Sequence, residues 1–184
     1  MTNKHTQQTH FDSFLGNTLV EMVKGDTHWE PFVEKINSKS TSSSIGIHLA
    51  IFVEPYLQFI LEGKKTIESR FSANRAAPYN KIRKGDIILL KRSGGPIMGL
   101  CEVTDAWFYQ LDPKSLGDIR REFTESLCAQ DPAFWSSRKN ASFATLMRIK
   151  NPLAIAPMAW TKRDRRGWVI LKDRSEQLLL DGHI

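Results

Sequence analysis

The stretch Gly63-Lys64-Lys65-Thr66-Ile67-Glu68-Ser69-Arg70 decides how the rest of the chain is read. A short apolar helix pattern precedes it. Pro55 sits in the first turn, where its missing N–H costs nothing, and Leu57, Ile60 and Leu61 form the inner stripe. Gly63 fits the left-handed position that ends a helix. Beyond it, Thr66 to Phe71 reads as a strand, and side chains alternate across a strand. Ile67 and Phe71 therefore claim the core, which leaves Glu68 and Arg70 side by side, facing outward or into a cleft, with Lys65 where the strand begins. Cations near a helix C-terminus complement its dipole by a few tenths to about 1 kcal/mol. On the bare residues, a solvated helix end and a ligand-facing junction both remain open.

Working outward, Gly46 to Val53 has alternating Ile47, Leu49, Ile51 and Val53 and reads as a strand leading into the helix. Ser72 to Lys84 is a loop with Arg75, Lys81, Arg83 and Lys84, closed by the turn signal Gly85-Asp86. Ile87 to Lys91 is a central strand. Ile97 to Phe108 is long enough to be a bent strand, with the bulge or kink expected at Gly99. Asp112-Pro113 and Asp131-Pro132 each pair an N-cap residue with a proline for the first turn, and Leu116, Ile119, Phe123 and Leu127 supply the buried stripe of the longer helix. Ala144 to Ile149 is again a strand, and Pro152 and Pro157 reduce what lies between them to an edge or a loop. Lys162 to Gly167 is a basic cluster running into the strand Trp168 to Leu171. A basic turn beside an aromatic residue suits a phosphate and base contact through Arg163, Arg165, Arg166 and Trp168, and it also suits an exposed hairpin tip.

Towards the N-terminus, Phe14, Leu15, Thr18, Leu19, Met22 and Val23 form one helical stripe, and Trp29, Phe32, Val33 and Ile36 a second. These helices need a surface to cover, either the rest of the chain or a protein partner. Ser38 to Ser44 has the composition of a flexible linker. The expected organisation is an N-terminal helical extension with its linker over residues 1–44 and one domain over 45–184.

Composition narrows the function. Of the 26 Lys and Arg, 4 fall in residues 1–44, and of the 20 Asp and Glu, 5 do, which leaves 22 against 15 in the remainder. The positive charge belongs to the main domain and favours polyanions such as nucleic acid. No apolar run approaches the roughly 18 to 20 residues of a membrane helix, and Met1 to His10 is polar. Cys101 and Cys128 are too few for a disulfide framework, and the five histidines, His5, His10, His28, His48 and His183, form no i, i+4 pair. These features point to a cytoplasmic protein without membrane association, metal or cofactor.

In order, the strand, the short helix, Gly63 to Arg70, the basic loop, Lys84-Gly85-Asp86, the two strands, the helical insertion and the closing strands resemble the ASCH domain. That family belongs to the PUA-like β-barrel group of nucleic-acid and modified-base binders. The resemblance covers about Gly46 to Leu171, and its most specific part is the pattern Gly-x-Lys-x-x-Glu-x-Arg at Gly63, Lys65, Glu68 and Arg70. It implies an α+β fold: a small, mixed PUA-like β-barrel with flanking helices, whose helix-to-strand junction lines a cleft. It also implies a role in RNA or nucleotide chemistry, with Lys64, Lys65, Glu68 and Arg70 as ligand-binding residues. Arg can hold phosphate bidentately, Lys acts on it as a point charge, and Glu accepts from a base edge or holds the lysine.

The resemblance also admits a hydrolase of a modified nucleoside or of RNA, with Lys65 and Glu68 catalytic. In the small ASCH amidohydrolases that deacylate acetylated cytidine, a Lys matching Lys65 is paired with a Thr nucleophile where this chain has Glu68. A carboxylate cannot replace that nucleophile, although Glu68 can act as a general base for water while Lys65 stabilises developing charge. An acidic residue on the helix after the long strand contributes in those enzymes, and Glu122 is its counterpart here.

Overall fold

The structure, a computed structural model, describes residues 17–37 (side chains as far as residue 33), 45–160 and 166–174. Phe14, Leu15, the side chain of Ile36, the whole Ser/Thr/Lys run from Ser38 to Ser44, Arg163 and Arg165 lie outside the described residues. The chain divides into two compact units, one running from Gly46 to Leu171 and the other combining the residues up to 45 with those from Lys172 onward.

In the smaller unit, α1 (residues 17–23) and α2 (Trp29–Asn37) meet at a turn. Gly25 provides the positive φ of 83° that the turn needs, and the Asp26 carboxylate accepts from the backbone N–H groups of His28 and Trp29 at 3.0 and 2.8 Å, satisfying donors that the helix itself cannot pair. Leu19, Val23, Trp29 and Val33 are buried, as the stripes predict, and Phe32 packs edge-on against Trp29.

The larger unit is built on a curled six-stranded sheet, a half-barrel: β1 (Ile47–Phe52), β2 (Ile67–Ser72), β3 (Ile87–Arg92), β4 (Ile97–Gln110), β5 (Phe143–Met158) and β6 (Trp168–Lys172), in the order β2-β5-β4-β3-β1-β6. β1 and β3 run parallel, and the β3–β4, β4–β5 and β2–β5 pairs are antiparallel. Helix α3 (Tyr56–Leu61) connects β1 towards β2, and α4 (Pro113–Phe123) and α5 (Pro132–Ser136) lie between β4 and β5 in sequence. Asp112 caps α4 in a reciprocal box with Ser115, and Asp131 caps α5 through Ala133 N, as the Asp-Pro signals predict. Among the described residues no helix is long and apolar enough to cross a membrane.

Two apolar layers result. Phe52, Ile88, Leu90, Val103, Met147 and Trp168 fill the concave side, while Ile67, Ile119, Phe123, Leu127, Trp135 and Leu146 join the sheet to the helices. β2 stands between them. Its Ile67 and Phe71 face the helical layer. Its Glu68 and Arg70 register against Met147 and Thr145 of β5 and share their concave side. The predicted alternation holds, but both faces of the strand are covered.

The long β5 contains both prolines. It pairs with β2 only as far as Arg148, and beyond that point no described strand covers its outer side, so Pro152 and Pro157 lie on an edge where a missing N–H breaks no ladder bond. The β4 register shifts at three places, the first next to Gly99. A Cβ on Gly99 would lie 2.5 Å from the Leu153 carbonyl oxygen and 2.7 Å from Leu61 Cδ2. Gly99→Ala should therefore cost about 1–3 kcal/mol, as overpacking does. Urea unfolding measures it, and an unchanged midpoint would show that the strand can shift to make room.

A buried polar relay ties β1, β3 and β6 together. Asp86 is fully buried and accepts from Gly46 N and Arg83 N, both at 2.7 Å, and from His48 Nε2 at 3.2 Å. On its other side, His48 Nδ1 accepts from the Trp168 indole N–H at 3.2 Å. Indole nitrogen only donates, so His48 carries its proton on Nε2. Burial pushes the Asp86 carboxyl up, but the bonds from His48, Gly46 and Arg83 outweigh it and hold the group below the usual carboxylate range.

Candidate functional site

Gly63, at a φ of +71°, ends α3 and turns the chain so that Lys65 enters the protein instead of continuing the helix. Lys65 is 3% exposed. Its Nζ donates to the carbonyls of Ile67 (2.6 Å) and Leu127 (3.1 Å) and lies 3.4 Å from Glu68 Oε2. Burial lowers the Lys65 ammonium below the ordinary lysine range, with Glu68 working against that shift. Glu68, 4% exposed, offers its other oxygen, Oε1, to Arg70 Nε at 2.9 Å. The Nε–H is not aimed along that contact and makes no hydrogen bond, so the attraction is Coulombic.

Arg70 does more than line a pocket. Its Nη2 donates to the Ile51 carbonyl of β1 at 3.1 Å and its Nη1 to the Gly167 carbonyl before β6 at 3.2 Å. The guanidinium lies over the rings of Phe52 (4.9 Å) and Trp168 (5.3 Å). An edge strand is thus joined by a side chain to the opposite end of the sheet, closing the curl where no ladder does so.

Above this chain of charges opens a cleft of about 400 Å³ lined by residues of β1, α3, β2 and the end of α5, among them Phe52, Tyr56, Phe71, Phe134, Ser137 and Arg138. Arg138 lies 3.5 Å above the Phe134 ring, and its Nη1 donates to Phe134 O and to Ser137 Oγ. Its Nε and Nη2 make no hydrogen bond to a described residue, so they are the donors best placed for a ligand. Burial pulls Arg138 below its usual range, opposed by Tyr56 and Glu68. Lys65, Arg70 and Arg138 thus share one cleft with a single carboxylate, and the excess is positive.

Three of the residues expected at the site, Lys65, Glu68 and Arg70, converge here. Lys64 does not: it is exposed and pairs with Glu62 at 2.6 Å. Glu122 lies on the exposed side of α4 and is not part of the cleft lining. Arg166 is exposed, whereas Trp168 is 4% exposed and committed to His48 and Arg70, so it offers no open face for stacking. Sequence reasoning missed Tyr56, Ser137 and Arg138. Its one available signal was Asp131-Pro132, since a helix started there ends after five residues and leaves Ser137-Arg138 at its C-terminal turn. Among the described residues, no group of three His, Cys, Asp or Glu side chains is arranged to hold a metal ion.

The family model for the ASCH domain matches residues 51–140, and every residue lining the cleft falls within that span. The chain carries an ASCH domain. Its fold is that of an ASCH protein from Zymomonas mobilis, at 12% identity and a TM-score of 0.56, over 74% of this chain and 94% of that one. Two variants of the same Zymomonas protein align equally, a tyrosine-to-phenylalanine form at TM-score 0.54 and a serine-to-alanine form at 0.53, each 12% identical. They cover 74% and 73% of this chain and 97% and 94% of theirs. No curated protein sequence matches the chain significantly. At such identity the likeness establishes the half-barrel of the ASCH and PUA-like folds, while chemistry must be argued from the cleft.

Proposed function

We propose that the protein binds RNA or a nucleotide in the ASCH cleft, with Arg138 and Arg70 drawing the phosphate and the rings of Tyr56, Phe71 and Phe134 flanking the base. One observation carries this reading: three cations, one carboxylate and several aromatic rings line a single cleft of about 400 Å³, within the size range of small-ligand sites. Aromatic rings beside cations suit a ligand that has flat, stackable bases and a charged backbone. Lys65 is fully occupied by two carbonyls and Glu68, so its part is to set the field and hold Glu68.

A hydrolase acting on a modified nucleoside or on RNA is the second reading, favoured by one feature, the buried Lys65 held below its ordinary range beside Glu68. Against it, both Glu68 oxygens face cations, and a water molecule would have to displace one of them before Glu68 could act on it as a base.

Binding to labelled single-stranded RNA should weaken steeply as salt rises, because bound cations release counterions from phosphate. Arg138→Gln should reduce affinity about tenfold or more, the scale of a lost charge-assisted hydrogen bond. It is a cleaner probe than Arg70→Ala, which would also open the curl. Fluorescence anisotropy across a salt series decides the matter, and RNA and nucleotides that show no salt-dependent binding would end the proposal. Turnover of an acylated nucleoside or of RNA, lost in Lys65→Ala, would favour the second reading.

A further inference from the structure

Phe134, Ser137 and Arg138 line the cleft, whereas Pro132, Trp135, Ser136 and Lys139 line a second, larger hollow of about 600 Å³ that α5 shares with α4. On the α4 side its wall is Pro113, Leu116, Gly117 and Arg120, at i, i+3, i+4 and i+7. One face of that helix therefore borders the hollow, while Ile119 and Phe123 go to the core. Trp135 commits its indole N–H to Ala129 O at 2.8 Å and brings only ring surface to the wall.

Gly117 sits inside α4, where glycine costs about 1 kcal/mol relative to alanine. Its φ is not positive, and a Cβ there would meet nothing within 4 Å, so neither the backbone nor the packing requires glycine. What the missing side chain provides is room for a molecule to approach the α4 backbone from the hollow. The charges indicate its class. The side chains of Arg120 and Lys139 make no hydrogen bond or ion pair with a described residue. Asp112 is the one acid in the wall, and its carboxylate caps α4 through Ser115 N at 2.6 Å. Leu111 N donates to Ser142 O at 2.8 Å, which sets Asp112 beside the end of the turn carrying Lys139. Acid and lysine share one end of the hollow, and Arg120, about 12 Å further along α4, stands unopposed. We infer that this hollow is a second binding site, for a small amphipathic carboxylate. Its apolar chain or ring system lies along Leu116, Gly117 and Trp135, and its carboxylate is held by the Arg120 guanidinium, in a space of the size small-molecule sites have. This assignment does not rest on the RNA reading.

The test uses anilinonaphthalene sulfonate, a fluorescent aromatic anion, as the probe on the full chain. Decanoate at submicellar concentration should displace it, and decanol, the same chain without the charge, should do so about tenfold less well. Gly117→Leu fills the hollow from an exposed position with a good helix former. It should abolish the displacement by decanoate without lowering the urea midpoint, and it should leave RNA affinity unchanged, because Gly117 is not in the cleft lining. Arg120→Gln should weaken decanoate about tenfold, the scale of a lost charge-assisted hydrogen bond, and leave decanol as it was. Decanol that competes as well as decanoate would overturn the carboxylate assignment. Displacement that persists unchanged in Gly117→Leu, or bound dye that decanoate does not displace, would overturn the site itself.

Discussion

Glu68→Gln is expected to destabilise the protein by about 3–5 kcal/mol, the cost of breaking a buried ion pair from one side. The physical reason is the imbalance it creates. Among the described residues lining the cleft, Glu68 is the one acid, and Lys65 and Arg70 approach its two oxygens at 3.4 and 2.9 Å. An amide has the volume of the carboxylate but not its charge, and one of its ends is a donor that would face a cation. Lys65, 3% exposed, then lacks a counter-charge. The Arg70 share is smaller, because its side chain keeps 22% of its exposure and water can screen it. Lys65→Met combined with Glu68→Gln should recover part of the loss, since it removes the buried cation along with its partner. Urea unfolding of the two single variants and the double variant measures that coupling, and strict additivity would mean that the pair does not act as a unit. The same substitution should strengthen anion binding, because the cleft becomes more positive. A larger RNA-induced rise in melting temperature for Glu68→Gln than for the unaltered protein would mark Glu68 as a clamp that tempers the field.

The balance between charge and core in this one strand explains why the sequence was readable so far and no further. Local rules were sufficient for the punctuation: Gly63 at the helix end, Asp112 and Asp131 as caps, and the bulge beside Gly99 all follow from what one residue does to its own backbone. Period-two alternation correctly separated Ile67 from Glu68. What alternation cannot report is that the sheet curls, so that the face away from the helices becomes another interior. That is a property of six strands together, and it leaves Glu68 buried and Arg70 half-buried. Arg138 and Ser137 were illegible for the same reason: they reach the cleft because α5 packs its Phe134 and Trp135 against Phe71, a contact across more than sixty residues of chain. Trp168 shows the reverse error. Beside a basic turn it reads as a stacking platform, yet its indole N–H is needed by His48, and that need arises only when β6 lies next to β1.

The His48 relay leads to the second large effect, at a residue that a Lys-Gly-Asp turn would not single out. Asp86→Asn is expected to cost about 3 kcal/mol or more, since hydrogen bonds to a charged group contribute about 1.5–3 kcal/mol and a stranded buried donor costs about 1–3. Gly46 N, Arg83 N and His48 Nε2, which all bond to the carboxylate, are donors. Asparagine offers one accepting oxygen and turns its NH₂ towards at least one of them. His48 cannot relieve the conflict by changing tautomer, because Nδ1 must stay unprotonated to accept from Trp168. The backbone cannot back away either, since even a Cβ on Gly46 would meet Asp86 Oδ1 at 2.9 Å. The acid limb of the stability curve gives an independent readout. Asp86 is held below the unfolded carboxylate value of about 3.9, so the folded state binds fewer protons there. Its stabilisation is therefore complete above that value and is lost as pH falls through it towards the folded value. The unaltered protein should lose stability over that window more steeply than Asp86→Asn, which has no proton to gain at this site. Parallel acid limbs for the two proteins, measured by urea unfolding at successive pH values, would show that the carboxylate charge contributes nothing and that Asp86 acts by shape alone.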